Sequence, residues 1–170
     1  DCEWVVSARR WAGGGWLRLS LGIGLGAWWA YVVLSFGGYW AWDPVENTSL
    51  VPWLTGTALL HSMTLYLRRG SFKRWALGLA LATFWLTLVA TWTTRTGVIQ
   101  SVHAFGQRPL LVWFLTVVIV GVAVLSAALI AWRWRRFASE HAFESLASRE
   151  FIYHLMNLTF TMFALAIGFS

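Results

Sequence analysis

The sequence predicts an all-α, polytopic membrane protein of about five transmembrane helices with a Trp-rich loop at its outer face. Three observations lead there. Of the 170 residues, 58% are hydrophobic and only 12% are charged, whereas soluble domains carry about a quarter charged residues. The charges cluster and leave apolar runs between them, each close to the ~20 residues a helix needs to cross ~30 Å of hydrocarbon. Lipid offers no partners to open backbone groups, so the spans must be helices.

The spans follow in order within one membrane domain, 1–170. The first covers about 17–36, LRLSLGIGLGAWWAYVVLSF. The others cover about 49–67, 75–94, 110–132 and 151–169. Between them lie a Trp-rich loop at 37–48, a His-bearing loop at 95–109 and a connector at 133–150. Within the connector, FASEHAFESLASRE alternates polar and apolar residues as a short surface helix does. The absence of an initiator Met and of a secretory signal marks Asp1 as the end of a processed chain or a fragment.

The charges set the topology. Arg68, Arg69, Lys73 and Arg74 form one basic loop, Arg133, Arg135 and Arg136 another, and Arg9, Arg10 and Arg18 precede the first span. Five crossings put all three clusters on one side. The positive-inside rule makes that side cytoplasm or matrix, and loops 37–48 and 95–109 then share the periplasm or intermembrane space. The net charge of +6 is a matter of topology. No basic stretch lies on a soluble surface large enough for a duplex, so no nucleic-acid partner is expected. Membrane lipid is. Cys2 is the only cysteine, which excludes an internal disulfide, a CxxC redox pair and a CxxCH haem attachment site.

Loop 37–48 lies within FGGYWAWDPVENTSLVPW. Gly37 and Gly38 suit a helix end with positive φ. Asp43-Pro44 breaks regular structure, and Pro44 can open a helical turn. Thr48 or Ser49 can cap the helix that follows, which puts Pro52 in its first turn. Trp28, Trp29, Tyr31, Tyr39, Trp40, Trp42 and Trp53 crowd around this loop. An interfacial aromatic belt explains many of the 14 tryptophans. It does not explain Gly-Gly, Asp-Pro and Glu-Asn at fixed spacing in one loop. Together these predict a folded aromatic shelf able to stack on a large flat ligand. Asp43 and Glu46 read as helix caps that order the loop, ahead of an acid–base pair.

The four histidines differ in meaning. His61 lies about 18 Å into the second span. Two roles fit that position, a hydrogen bond to a neighbouring helix or an axial ligand to a membrane-embedded haem. His103 shares its side with the Trp-rich loop, beside Phe105, where an imidazole can hold haem iron. His141 and His154 fall on the opposite side and read as structural. Arg95 and Arg108 flank the loop of His103 and suit propionates or helix ends.

WWAY, GGYWAWDPVENTSLVPWL, TALLHS, GSFKRW and GVIQSVHAF together resemble the CcmF-type cytochrome c haem lyases, within the WWD-domain haem-handling proteins. The resemblance is strong over about 16–109 and weaker beyond. Phe36 and Tyr39 depart from it, standing where the family has tryptophan. It implies that loop 37–48 binds substrate haem b, with Trp28, Trp29, Tyr39, Trp40, Trp42 and Asp43 around it. It implies His103 as an outer-face ligand to that iron and His61 as a ligand to a second, embedded haem b. The implied partners are a haem chaperone, apocytochrome c and other subunits of a split lyase, which would supply the missing histidines. On that reading the chain is one incomplete part of the enzyme, in the mitochondrial inner membrane or a bacterial cytoplasmic membrane. A haem relay without ligation activity and a structural subunit of a respiratory assembly are the competing functions.

Overall fold

A computed structural model describes residues 2–33, 38–70, 72–99, 101, 109–134 and 149–168. They form five helices: α1 Cys2–Val32, α2 Pro44–Arg69, α3 Lys73–Thr96, α4 Pro109–Arg133 and α5 Arg149–Gly168. Lys73–Thr96, Pro109–Arg133 and Phe151–Gly168 are long and apolar enough to cross a bilayer. α1 and α2 fall short of that standard. α1 carries Arg9, Arg10 and Arg18 along its length, and α2 has a physical reason to be polar.

That reason is its position. α2 packs against α1, α3 and α5, while α4 leans on α3. A helix wrapped on three sides by protein shows little surface to lipid. Its buried set accordingly mixes Val51, Leu54, Ala58, Leu59 and Met63 with Asn47, Thr55 and Ser62. Two apolar clusters run along it. Ala58, Leu59 and Met63 meet Ala76 and Leu79 of α3, and Val51 and Leu54 meet Ala164 of α5. Gly56 allows the closest approach: a Cβ there would lie 3.4 Å from Trp16 Cδ1 and 3.6 Å from Thr83 Cγ2.

Side-chain hydrogen bonds fix the registers. Trp16 Nε1 donates to Thr57 Oγ1 at 2.9 Å and Trp53 Nε1 to Ser20 Oγ at 2.8 Å, with Trp16 stacked on Trp53. Thr83 Oγ1 donates to Thr55 Oγ1. Asn157 Nδ2 donates to Ser62 Oγ at 2.8 Å, both residues being fully buried. Trp92 Nε1 reaches Thr116 Oγ1. Such bonds hold helices together where lipid supplies no hydrophobic drive between them.

The helix bounds differ from the sequence reading in two places. α1 begins at Cys2, well before Leu17. No proline interrupts its first half, so the helix runs on. The Trp16–Thr57 and Ser20–Trp53 bonds put Arg18 level with the middle of α2 but on the outward face of α1, its side chain lying back toward Gly14 along its own helix. α2 begins at Pro44 rather than Ser49, because Asp43 caps it. Thr48 and Ser49 instead bond back to the carbonyls of Val45 and Glu46 inside the first turns, and Pro52 sits within the helix.

Candidate functional site

The site is built around the start of α2. Asp43 is the N-cap, and its carboxylate accepts from the N–H of Val45 at 3.0 Å and from that of Glu46. The Glu46 carboxylate reaches back and accepts from the N–H of Asp43 at 3.3 Å and of Ala41 at 2.8 Å. Asn47 Nδ2 donates to the Trp42 carbonyl at 3.3 Å. Glu46 and Asn47 thus clamp the backbone on both sides of Trp42. Trp42 itself sits at φ 57°, in the left-handed region that a bulky L-residue rarely enters. The clamp and the strained residue belong together: local hydrogen bonds offset the cost of the turn and fix where its indoles point.

Above this turn Trp40 and Trp42 meet edge to face, ring centres 6.2 Å apart. Tyr39 stacks on Tyr31 of α1 at 4.3 Å. Below it a cleft of about 430 Å³ opens between α1, α2 and α3. That is within the ~300–1,000 Å³ range of small-molecule sites. Trp29, Tyr39 and Trp40 line it from the loop side, and α1 lines it with Leu19, Ile23 and Ala27 together with Gly22 and Gly26, which leave open space between the larger side chains. A Cβ at either glycine would meet nothing within 4 Å. Thr87, Thr91 and Thr94 of α3 and the Glu46 side chain supply polar groups. Trp40 Nε1 is buried and has no hydrogen-bond partner among the described residues.

The predicted site residues divide. Trp29, Tyr39 and Trp40 line the cleft. Trp28 and Trp42 are not among its lining residues and are exposed, as Trp29 and Tyr39 partly are, and Asp43 serves as cap. Adjacent residues on a helix point about 100° apart, so Trp28 and Trp29 cannot both face inward. His103 lies outside the described residues, as does connector 135–148. Ser101, two positions before it, donates from Oγ to the Asp43 carboxylate. The start of the second loop is therefore tied to the cap of α2.

His61 is distant from the cleft. It faces α5, stacked with Phe160 at 6.2 Å and 7° and tilted against Tyr153. Its neighbour Ser62 makes the interhelical hydrogen bond to Asn157. His154 packs against Phe72 and Trp75 at the other end of the bundle. Among the described residues no three His, Cys, Asp or Glu side chains gather where they could hold a metal ion.

Sequence reasoning missed the roles of Gly22, Gly26 and Asn47. The two glycines stand four apart, on one face of α1, which was the available signal. Nothing in the sequence marks Trp42 for a left-handed turn.

These features define a class: a polytopic helical membrane protein with an aromatic-lined cleft where the segment before α2 meets α1, α2 and α3. Residues 2–103 match the family described as Cytochrome C assembly protein. The chain belongs to that family. It is 41% identical over 169 residues to the cytochrome c-type biogenesis protein CcmF of Haemophilus influenzae, covering 99% of this chain and 26% of that one. It is 44% identical to CcmF of Pseudomonas aeruginosa over 158 residues, 93% of this chain and 24% of that one. Against the probable cytochrome c-type biogenesis protein NrfE of Escherichia coli it is 48% identical over 126 residues, 74% and 23% of the two chains. A solved cytochrome c haem lyase CcmF superposes with a TM-score of 0.69 at 30% identity, covering 96% of this chain and 24% of that chain. The chain thus spans about a quarter of the length of these relatives. It is an integral membrane protein of the cytochrome c assembly family.

Proposed function

We propose that this chain is the haem-presenting part of a cytochrome c haem lyase. The cleft under Trp29, Tyr39 and Trp40 takes haem b as substrate, with Trp28, Trp42 and Asp43 shaping its margin. His103 ligates the iron. The enzyme then joins the haem vinyl groups to the two CxxCH thiols of apocytochrome c. Each thioether forms by addition of S–H across a vinyl C=C, sulfur bonding one carbon and hydrogen the other, with nothing released. Such a step needs alignment more than it needs an acid or a base, and a held porphyrin beside held thiols supplies it.

One observation carries the reading. The Ser101–Asp43 hydrogen bond links the chain just before His103 to the cap that organises the Trp-rich loop. Two features test the fit of haem itself. A planar, largely apolar ligand finds open space at Gly22 and Gly26 beside the apolar side chains of Leu19, Ile23 and Ala27, and the buried Trp40 Nε1 is a donor available to a ligand oxygen such as a propionate.

His61 is the proposed ligand of a second haem b inside the membrane, a group that supplies an electron to the substrate haem. Its stacking on Phe160 fixes the ring plane from the α5 side. Both irons then draw a further ligand from partner subunits of the lyase, and a haem chaperone delivers the substrate. The loop end faces the periplasm or intermembrane space, since the Lys/Arg-rich end takes the inner side. The bacterial relatives favour a bacterial cytoplasmic membrane over the mitochondrial inner membrane.

The test uses the chain purified with whatever subunits accompany it, read by pyridine haemochrome and by the reduced absorption spectrum. His103→Ala should abolish substrate-haem binding and cytochrome c maturation. His61→Ala should remove a separate b-type signal while haem still binds at the loop. Unchanged haem content and maturation in both variants would leave only a structural role. A variant that binds haem yet stops maturation favours ligation over relay.

A further inference from the structure

The other end of the bundle holds a second cavity, of about 370 Å³. The starts of α1 and α3 and the ends of α2 and α4 converge there. Its walls are apolar: Val5, Met63, Ala76 and Leu77, the first three nearly fully buried. Two cations, half-buried Lys73 and exposed Arg133, line it as well, together with Tyr66. No carboxylate lines it among the described residues. The first turn of α3 holds no acidic residue, so its helix dipole adds to the positive potential.

The surroundings give the depth. Arg74 lies over the Trp134 ring at 4.7 Å and Arg133 over Trp132 at 5.1 Å, and Trp4 stands beside them, 67% exposed. Tryptophan and arginine at one level, where four helices end, mark the headgroup zone of a bilayer. A cavity at that level with cations at the mouth and hydrocarbon walls beneath matches one ligand in both halves. We propose that it binds an anionic phospholipid, its phosphate between Lys73 and Arg133 and its acyl chain against Met63 and Leu77. Free phosphate would use only the cations, leaving the mostly apolar lining unmatched. Basic pockets between helices bind anionic headgroups in this manner.

The experiment takes the full chain out of vesicles of equal phosphatidylglycerol and phosphatidylcholine and counts retained lipid by native mass spectrometry. One phosphatidylglycerol should be retained in preference. The double variant Lys73→Gln/Arg133→Gln should weaken that retention on the order of thirty-fold, and Arg18→Gln, remote from the cavity, should leave it unchanged. Leu77→Trp, which fills the cavity and keeps both cations, should also expel the lipid. Circular dichroism confirms that each variant is folded. Equal retention of phosphatidylcholine would overturn the proposal. So would indifference to the double variant, or displacement of the lipid by millimolar inorganic phosphate. None of these readouts involves haem.

Discussion

Glu46 tests how the Trp-rich loop is held. Its carboxylate accepts from two backbone N–H groups that flank Trp42. A hydrogen bond to a charged group contributes about 1.5–3 kcal/mol when well formed and buried. Here the Ala41 bond is exposed and the Asp43 bond is long, so about 1–2 kcal/mol in total is a fair figure. Opposing it is the left-handed backbone of Trp42, which costs about 1–2 kcal/mol. The terms nearly balance, so Glu46→Ala should release the turn while α2 stays helical. If the clamped turn is the form that binds, losing it lowers the competent fraction, and haem affinity falls in proportion. The expected loss is about five- to thirty-fold. Glu46→Gln keeps an acceptor but not the charge, and should lose about half as much in free energy. Haem titration followed by absorbance measures both variants, with far-UV circular dichroism as the fold control. Wild-type affinity in Glu46→Ala would refute the clamp.

Three further outcomes follow from the packing. Trp42→Gly should leave thermal stability within about 1 kcal/mol, because relief of the left-handed strain offsets the entropy of glycine, yet weaken haem binding in the same titration. The Asn157→Ala and Ser62→Ala double-mutant cycle should give a coupling of roughly 0.6 kcal/mol in reversible unfolding from mixed micelles, and a value above about 1.7 would exceed what such bonds contribute in membranes. Gly56→Leu should cost about 1–3 kcal/mol by forcing Trp16 and Thr83 apart, whereas Gly56→Ala should be nearly neutral, its Cβ meeting Trp16 at 3.4 Å.

The helices were legible because they rest on local signals: apolar runs near spanning length, with Asp43-Pro44 breaking the chain between the first two; the positive φ expected at Gly38 is not found there, and Trp42 adopts it instead. The choice of which aromatics face the cleft was not. It depends on how α1 rotates against α2, which Trp16–Thr57 and Ser20–Trp53 decide across 41 and 33 residues. The start of α2 was misplaced because Thr48 and Ser49 are also good caps by composition. What tipped the balance is the reciprocal bonding of Asp43 and Glu46, a capping box written in the same letters as the motif itself. For His61 two roles were open. Among the described residues the interhelical hydrogen bond went to its neighbour Ser62, and His61 kept only ring contacts. Asn157, 95 residues from Ser62, gave no sign of its partner, since a polar residue in a span announces a contact without naming it.

The Asp43 carboxylate serves two masters, the first amides of α2 and the hydroxyl of Ser101. Whatever tugs the later loop away must therefore also loosen the helical start, and whatever seats it must tighten those amides. Deuterium uptake at Val45 and Glu46 becomes a gauge of events some sixty residues downstream. An occupant of the cleft, which Val45 and Glu46 themselves line, would slow exchange at that helix start both by direct contact and through this bond.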